Sequence, residues 1–264
     1  MKPREFINKY LLGGRTRIVR GAPKADIASF LGGLFPVSSE HALIRIGGDS
    51  DGGYLVPDDL IGIKTCFSPG VSNNAGFEEA LAARGIRSFM ADYSVEGPPI
   101  QNPLFHFEKK YLGSRNDEIL TTLPAWVERN APEEKDMLLQ MDIEGAEYAV
   151  LLSTPLEVLR RFRIIIIEFH GLDSLAETRG IELIGMSFEK LLMDFDVAHA
   201  HVNNCAETIS YAGFELPPVM EFTFHRKDRS RSRKHTLRFP HPLDQACVPT
   251  RKDIHLPACW HASP

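Results

Sequence analysis

Residues 136–147, Asp-Met-Leu-Leu-Gln-Met-Asp-Ile-Glu-Gly-Ala-Glu, constrain what this chain can fold into more than any other stretch. Met137 to Met141 form a mostly apolar run that stops at acid. Asp142, Glu144 and Glu147 then follow, with Gly145 between the last two. This pattern predicts a buried parallel strand whose C-terminal tip opens into a loop and then a helix from about Ala146. Ligands of open α/β sheets sit beyond the carboxyl ends of the strands. Asp142 is therefore expected at an active site, and Glu144 either beside it or simply at a helix start. Glu147 has the plainer reading, because a helix dipole favours a carboxylate in the first turn with no further role.

A second run supplies the centre of the sheet. Arg163-Ile-Ile-Ile-Ile-Glu168-Phe-His170-Gly171 sets four isoleucines in a row. Burial on both faces, and hence a central parallel strand, is the expectation. Neighbouring strands ending in Asp142 and His170 would present an acid and an imidazole to one crevice.

Upstream, Ile61–Ser68 reads as a strand, Pro69–Asn74 as a turn, residues 75–84 as a helix and Arg87–Tyr93 as a strand carrying Asp92 near its end. Strand, glycine turn, helix, strand and acid make a Rossmann-type unit. The glycine admits a cofactor to the backbone and the acid accepts from ribose hydroxyls. A pyrophosphate site wants G-x-G-x-x-G, whereas only Gly70 and the distant Gly76 stand here. A nucleoside cofactor without phosphates tolerates such a loop. S-adenosylmethionine therefore fits better than a nicotinamide cofactor.

Residues 45–57 hold two glycine pairs and two aspartates between Ile46 and Tyr54. Such a loop can envelop a polar ligand, with Asp51 facing an ammonium group. Taken alone, a hairpin turn between strands around Ile46 and Tyr54–Val56 is the simpler reading. Tyr10–Leu12 and Ile27–Leu34 fit short helices over a sheet edge. Phe105–Tyr111 reads as a third strand, and Thr121–Arg129 as a helix with Pro124 in its first turn. A short helix is expected within residues 155–161, and another over Ser187–Asp194. Phe195–Ala200 leads into His201-Val-Asn-Asn204, whose polar groups are either substrate contacts or turn residues. Val219–Arg226 alternates like a strand, and Glu221 and Glu168 are candidate buried partners.

Between Arg226 and Lys234 the chain carries six Lys or Arg against one Asp. A solvated loop is the plain reading, contact with an anionic substrate the sharper one. Cys247, His255, Cys259 and His261 match no paired-ligand zinc spacing. Prolines 240, 242, 249 and 257 suggest an extended segment packed on the domain. Length, at 264 residues, allows one α/β domain with extensions or two small domains. A net charge of −5 argues against nucleic-acid binding. No apolar run is long enough to span a bilayer, and the first residues lack a signal peptide's apolar core. Four scattered cysteines point to a reducing cytoplasm.

Several blocks together resemble the FkbM-type methyltransferases, within the class I S-adenosylmethionine-dependent fold. They are residues 45–54, Ser68-Pro-Gly-Val-Ser-Asn-Asn-Ala-Gly-Phe-Glu78, Gln140-Met-Asp-Ile-Glu-Gly-Ala-Glu147 and Ile167-Glu-Phe-His170. His201-Val-Asn-Asn204 with residues 216–223 is similar to the family's C-terminal half. The resemblance runs from about residue 43 to 226. It implies a Rossmann-like α/β fold, a mostly parallel seven-stranded sheet with helices on both faces. It also implies methyl transfer to a hydroxyl of a sugar, glycan or other natural product. Carried over with it are Gly70 at the cofactor loop, Asp92 at the ribose and Asp142 near the methionine part. Asp51, Gly53, Tyr54, Ser68 and Tyr93 complete the expected cofactor-binding set. The departure is Ser68-Pro69-Gly70, where many class I enzymes have a second glycine.

The expected division is an extension over residues 1–44, a methyltransferase domain over 45–226 and a basic tail over 227–264. In the expected mechanism His170 or His201 takes the acceptor's proton while Asp142 or Glu144 orients it. A divalent cation on some of Asp142, Glu144, Glu168 and His170 is the alternative. An NAD(P)-dependent oxidoreductase and a non-catalytic binding module are the rival functions. The sequence specifies neither the acceptor nor the oligomeric state.

Overall fold

The computed structural model describes residues 19–263, so the Tyr10–Leu12 helix expectation lies outside the described residues. Seven strands form the central sheet: β1 Thr65–Pro69, β2 Arg87–Ala91, β3 Phe105–Glu108, β4 Met137–Met141, β5 Phe162–His170, β6 Phe195–Val202 and β7 Val219–Arg226. Their spatial order is β6-β7-β5-β4-β1-β2-β3. All run parallel except β7, which is antiparallel to both β5 and β6. The chain moves outward from β1 through β2 to β3, then returns to lay β4 on the other side of β1. The order therefore reverses between β1 and β4, the place where doubly wound sheets open a crevice.

The isoleucine run behaves as a strand buried on both faces must. Ile165 and Ile167 pack with Phe67, Leu139 and Met141 in one core cluster, and Ile164 and Ile166 with Cys66 and Leu138 in another. Among the described residues six helices accompany the sheet: α1 Lys24–Gly32, α2 Gly76–Ala82, α3 Leu123–Asn130, α4 Glu147–Ser153, α5 Leu156–Leu159 and α6 Thr178–Leu192. The first cluster lies under α1, α3, α4 and α6, through Ile27, Trp126, Leu151 and Phe188 among others. The second lies under α2 and a hairpin of Leu43–Ile46 with Tyr54–Pro57. One face is thus helical, while the other is shared by a short helix and a two-stranded ribbon.

Some boundaries differ from expectation for local reasons. The strand at 61 begins only at Thr65, because Ile63 closes a turn onto the Leu60 carbonyl. The expected third strand breaks where Lys110 N donates to Glu108 O at 2.8 Å, and Tyr111–Gly113 then pairs with Leu120–Thr122 instead. Pro124 does sit in the first turn of α3, whose start is capped by Thr122 Oγ1 accepting from Ala125 N. Helix α6 starts nine residues earlier than Ser187. Ile181, Ile184, Phe188 and Leu191 form its buried stripe, and Gly180 is required because a Cβ there would lie 1.9 Å from Ser174 O.

The segments flanking residues 45–226 share the same core. Ile27, Leu31, Leu256 and Trp260 all belong to the larger cluster, and Lys234–His235 pairs with Val37–Ser38. The basic run is a solvated loop only in part: residues 231–235 are exposed, while three of its arginines are paired. Arg226 pairs with Asp136, Arg233 with Asp196, and Arg229 grips Asp59 through two bonds of 2.9 and 3.0 Å. Asp59 also meets buried Arg163 and His225, at 3.3 and 3.2 Å. Breaking a buried ion pair from one side strands the other charge. Asp59→Ala should therefore lower unfolding free energy by about 3 kcal/mol in a urea titration. A loss under about 1 kcal/mol, the range of an exposed pair, would show this junction to be unimportant.

Candidate functional site

Because β1, β2, β4, β5 and β6 run the same way, their C-terminal ends share one rim, and reversed β7 enters at that rim with Val219. Gly70 follows β1, Asp92 follows β2, Asp142 follows β4, His170 ends β5, and Asn203 and Asn204 follow β6. Gly70 has φ +87°, and a Cβ on it would fall 1.6 Å from Asp142 O. The glycine is thus demanded by the neighbouring strand tip, whatever it does for a cofactor.

Between those tips lies a cleft lined by Asp51, Tyr54, Gly70, Ser72, Gln140 and Asp142, enclosing about 80 Å³. The loop of the Leu43–Pro57 hairpin roofs it, with Asp51 O accepting from Asn74 Nδ2 at 2.8 Å. Tyr54 is buried, and its hydroxyl accepts from Gln140 Nε2 at 3.2 Å. Residues 47–53 are thus the hairpin turn of the simpler reading, placed over the cleft. A larger cleft, about 720 Å³, lies between Lys135, Arg160, Arg161, Asp194 and Arg226, at the opposite ends of the strands.

Other expected cofactor residues sit differently. The Ser68 hydroxyl is fully buried and bonded to Glu78 and Gln140, which removes it from the cleft. Gly53 is packed at the hairpin neck, where a Cβ would meet Gly48 O at 2.0 Å. Tyr93 turns outward against Tyr111, with Lys109 over its ring. Asp92 is buried and braces its own loops, Oδ2 accepting from Ser72 N and Oδ1 from Ser94 N and Oγ.

His170 is the hub of the rim. Its Nδ1 lies 3.2 Å from Glu147 Oε1, and its Nε2 lies 3.8 Å from Asp142 Oδ1, 3.5 Å from Glu144 Oε2 and 3.6 Å from Glu168 Oε1. Glu147 is wholly buried, and the same Oε1 accepts from Ile143 N and Gly145 N. One carboxylate thus shapes the 142–146 loop and orients the imidazole, a role beyond the helix dipole. The sequence signal was there, because a first-turn glutamate can fold back on amides preceding its helix. Glu144 itself adopts φ +56°, a left-handed conformation that side chains other than glycine rarely take.

Crowding moves the titrations. Burial, aided by Glu144, Asp51 and Glu147 and opposed by His170, pushes Asp142 up to about 7. Burial likewise holds Glu168 well above the usual carboxylate range, with the charges of Asp142 and Glu221 adding to it. For His170 burial acts downward, but the Glu147 hydrogen bond and the surrounding carboxylates outweigh it and raise the imidazole. Asp142 Oδ1 and Glu168 Oε2 are buried without hydrogen-bond partners. An acidic rim with unpartnered oxygens suits a cationic ligand. Asp142, Glu168 and His170 also place ligand atoms within 4.8 Å of one another, close enough to hold a metal ion.

His201 is set apart from this hub. It is buried beside Glu221, 3.4 Å from Nδ1, and Asp253, 3.8 Å from Nε2. Asn203 Nδ2 donates to Glu168 Oε1 at 3.0 Å, and Asn204 ties down residues 248–252, so each fixes the rim's shape. Among the described residues Cys247, His255, Cys259 and His261 do not gather. Cys259 bonds to Glu215 O, His261 stacks on Phe239, and only Cys247 reaches a cluster of possible ligands.

Among solved structures, a candidate RNA methyltransferase from Pyrococcus horikoshii is 14% identical over 64% of this chain and 75% of its own, with a TM-score of 0.34. A candidate hemolysin from Streptococcus thermophilus is 8% identical over 89% of this chain and 73% of its own, with a TM-score of 0.35. Likenesses this loose carry no argument. No curated protein matches the sequence. No described helix is long and apolar enough to cross a membrane. The family model described as the methyltransferase FkbM domain matches residues 63–206, spanning β1 to the end of β6 and every strand tip of the rim except the start of β7. The chain belongs to the FkbM methyltransferase family.

Proposed function

We propose that the chain is an S-adenosylmethionine-dependent O-methyltransferase whose acceptor is a hydroxyl of a sugar, glycan or related natural product. The observation that carries this reading is the placement of His170. Its Nδ1 lies 3.2 Å from Glu147 Oε1, a carboxylate oxygen that accepts, and its Nε2 faces Asp142 and Glu144 at the strand-tip rim.

S-adenosylmethionine, when bound, supplies an electrophilic methyl group on a sulfonium. The acidic lining of Asp51 and Asp142, with the charge of Glu144 beside it, complements such a cation, and Tyr54 and Gln140 offer neutral polar edges. The present cleft is smaller than the roughly 300 Å³ at which ligand pockets begin. Admission therefore requires the 47–53 loop to lift, releasing Asn74 from Asp51 O. A hydroxyl is a poor nucleophile while protonated, and His170 Nε2 receives its proton. Glu147 holds the imidazole in place, and the carboxylates around it stabilise the imidazolium that forms. His201, enclosed by Glu221 and Asp253, is not the base in this reading.

In a thermal-shift experiment S-adenosylhomocysteine should stabilise the protein and NADH should not, since only a ligand of the native state raises the melting temperature. The reverse result would favour an oxidoreductase, and no shift with either a binding module. His170→Gln should lower kcat by about 10²–10⁴-fold while S-adenosylhomocysteine affinity stays near wild type. The rise of kcat/KM with pH above neutrality should vanish with it. Unchanged turnover would remove His170 as base. The cation alternative, favoured by the spacing of Asp142, Glu168 and His170, instead predicts that chelation abolishes turnover and Mg²⁺ restores it.

A pH-dependent stability difference follows from Asp142. Its carboxyl titrates at about 7 in the fold, above its unfolded value. Between those values the folded state keeps a proton that the unfolded chain has lost, so stability falls as pH rises through the window. The whole shift would be worth about 4 kcal/mol, but the adjacent imidazolium returns part of it. Asp142→Asn should therefore be more stable than wild type by about 1–2 kcal/mol at pH 8, the gain shrinking towards pH 5. Urea titrations that give parallel pH curves for the two proteins would contradict the assigned ionisation.

A further inference from the structure

Register places a row of polar side chains across three strands. Glu168 on β5 stands opposite Glu221 on β7, and Glu221 stands opposite His201 on β6. Two glutamates facing each other across a buried strand pair repel. Residues 244–253 of the C-terminal segment close over this row, and Cys247 reaches in from them. Its Sγ lies 3.3 Å from Glu221 Oε1 and 3.9 Å from His201 Nδ1, while His201 Nδ1 lies 3.4 Å from Glu221 Oε2. All three residues are buried.

These separations resemble the edges of a tetrahedron around a metal. Zinc bonds of about 2.3 Å to sulfur and about 2.0–2.2 Å to nitrogen and oxygen give ligand–ligand edges of roughly 3.4–3.6 Å. The observed edges of 3.3, 3.4 and 3.9 Å bracket that range. An independent feature lies on the far side of the imidazole. His201 Nε2 is buried without a hydrogen-bond partner, and Asp253 Oδ1 stands 3.8 Å away. A histidine ligating through Nδ1 carries its proton on Nε2, and metal-bound histidines generally give that proton to a carboxylate. Asp253 faces that proton and would receive it by closing the 3.8 Å gap.

We propose that Cys247 Sγ, His201 Nδ1 and the Glu221 carboxylate bind a zinc-class divalent ion that fastens the C-terminal segment to β6 and β7. One thiolate, one imidazole and one carboxylate suit zinc or cobalt and are a poor set for magnesium or calcium. Binding displaces the Cys247 thiol proton to solvent. The ion neutralises the Glu221 side of the facing glutamates. Asp51 supplies a further carboxylate, within 4.8 Å of Glu221 and Glu168, and its backbone N–H already donates to Cys247 O. The ion would therefore tie the tail to the loop that roofs the cleft, and would leave His201 a positioning residue. This site shares no ligand with the Asp142, Glu168 and His170 group.

The test uses the full chain, stripped with a chelator and reloaded with Zn²⁺ or Co²⁺. The wild type should retain one Zn²⁺ per chain through gel filtration. The Co²⁺ form should show a thiolate-to-metal charge-transfer band in the near ultraviolet. Cys247→Ser should lose that band. Asp253→Asn, outside the coordination sphere, should keep it while binding zinc about 10–100-fold more weakly. Circular dichroism identifies any variant that has failed to fold. Wild type that retains no metal, or a cobalt band that survives Cys247→Ser, would overturn the proposal. Cofactor binding is not part of this readout, so the methyltransferase reading stands or falls separately.

Discussion

The register of β4 against β5 is the constraint on which the rest of the molecule depends. Leu138 pairs with Ile164 and Leu139 with Ile165, so Met137, Leu139 and Met141 on β4 and Ile165, Ile167 and Phe169 on β5 face the helices. Leu138, Ile164 and Ile166 face the hairpin and α2. The same alternation carries Glu168 to the hairpin side, where Asp51 and Glu221 meet it. A slip of one residue would drive Glu168 into the cluster of Phe169, Phe188 and Phe222, with no partner for its charge. Burial of the isoleucine run thus fixes the site's position along with the fold.

That position has an energetic cost which the surrounding structure offsets. Carboxylates of Asp142, Glu144, Glu147, Glu168 and Glu221 crowd one rim, and burial raises the pKa of Asp142 and Glu168. The chain answers with local donors. Glu147 takes backbone N–H groups of Ile143 and Gly145, Glu168 takes Asn203, and Glu221 takes the Cys247 thiol. What stays unpartnered, Asp142 Oδ1, Glu147 Oε2 and Glu168 Oε2, lies at the same rim. Perturbed, incompletely satisfied groups beside a cleft are a mark of chemistry more than of stability. At the opposite end of the sheet the charges are better matched, with Arg163 and Arg229 both on Asp59.

Much of this was legible because buried parallel strands are written as apolar runs with polar ends. Met137–Met141 and the isoleucine strand were readable residue by residue, and with them the shared rim of Gly70, Asp92, Asp142 and His170. Roles that depend on direction were not. Glu147 looks like any acid at a helix start until its side chain is seen folding back to His170. Ser68 and Tyr93 sit beside functional positions in sequence, but one points into the core and the other into solvent. Long-range partners left no local trace. Cys247 meets Glu221 across 26 residues and His201 across 46, and no spacing rule predicts either. The first turns of α6 are less legible than Ser187–Asp194, since Gly180 and Gly185 lower helix propensity there while the buried stripe keeps the helix intact.

The reversal of strand order between β1 and β4 is what assembles a single site from distant segments. Gly70 and Asp142 touch across it, Asp92 and His170 flank it, and the 47–53 loop roofs it. A crystal structure with S-adenosylhomocysteine tests that assembly most directly. The account predicts the nucleoside between the β1 and β4 tips, under a displaced 47–53 loop, with its sulfur on the His170 side. Occupation of the Lys135, Arg160 and Arg226 cleft at the other end of the strands, with the β1–β4 rim unchanged, would contradict it.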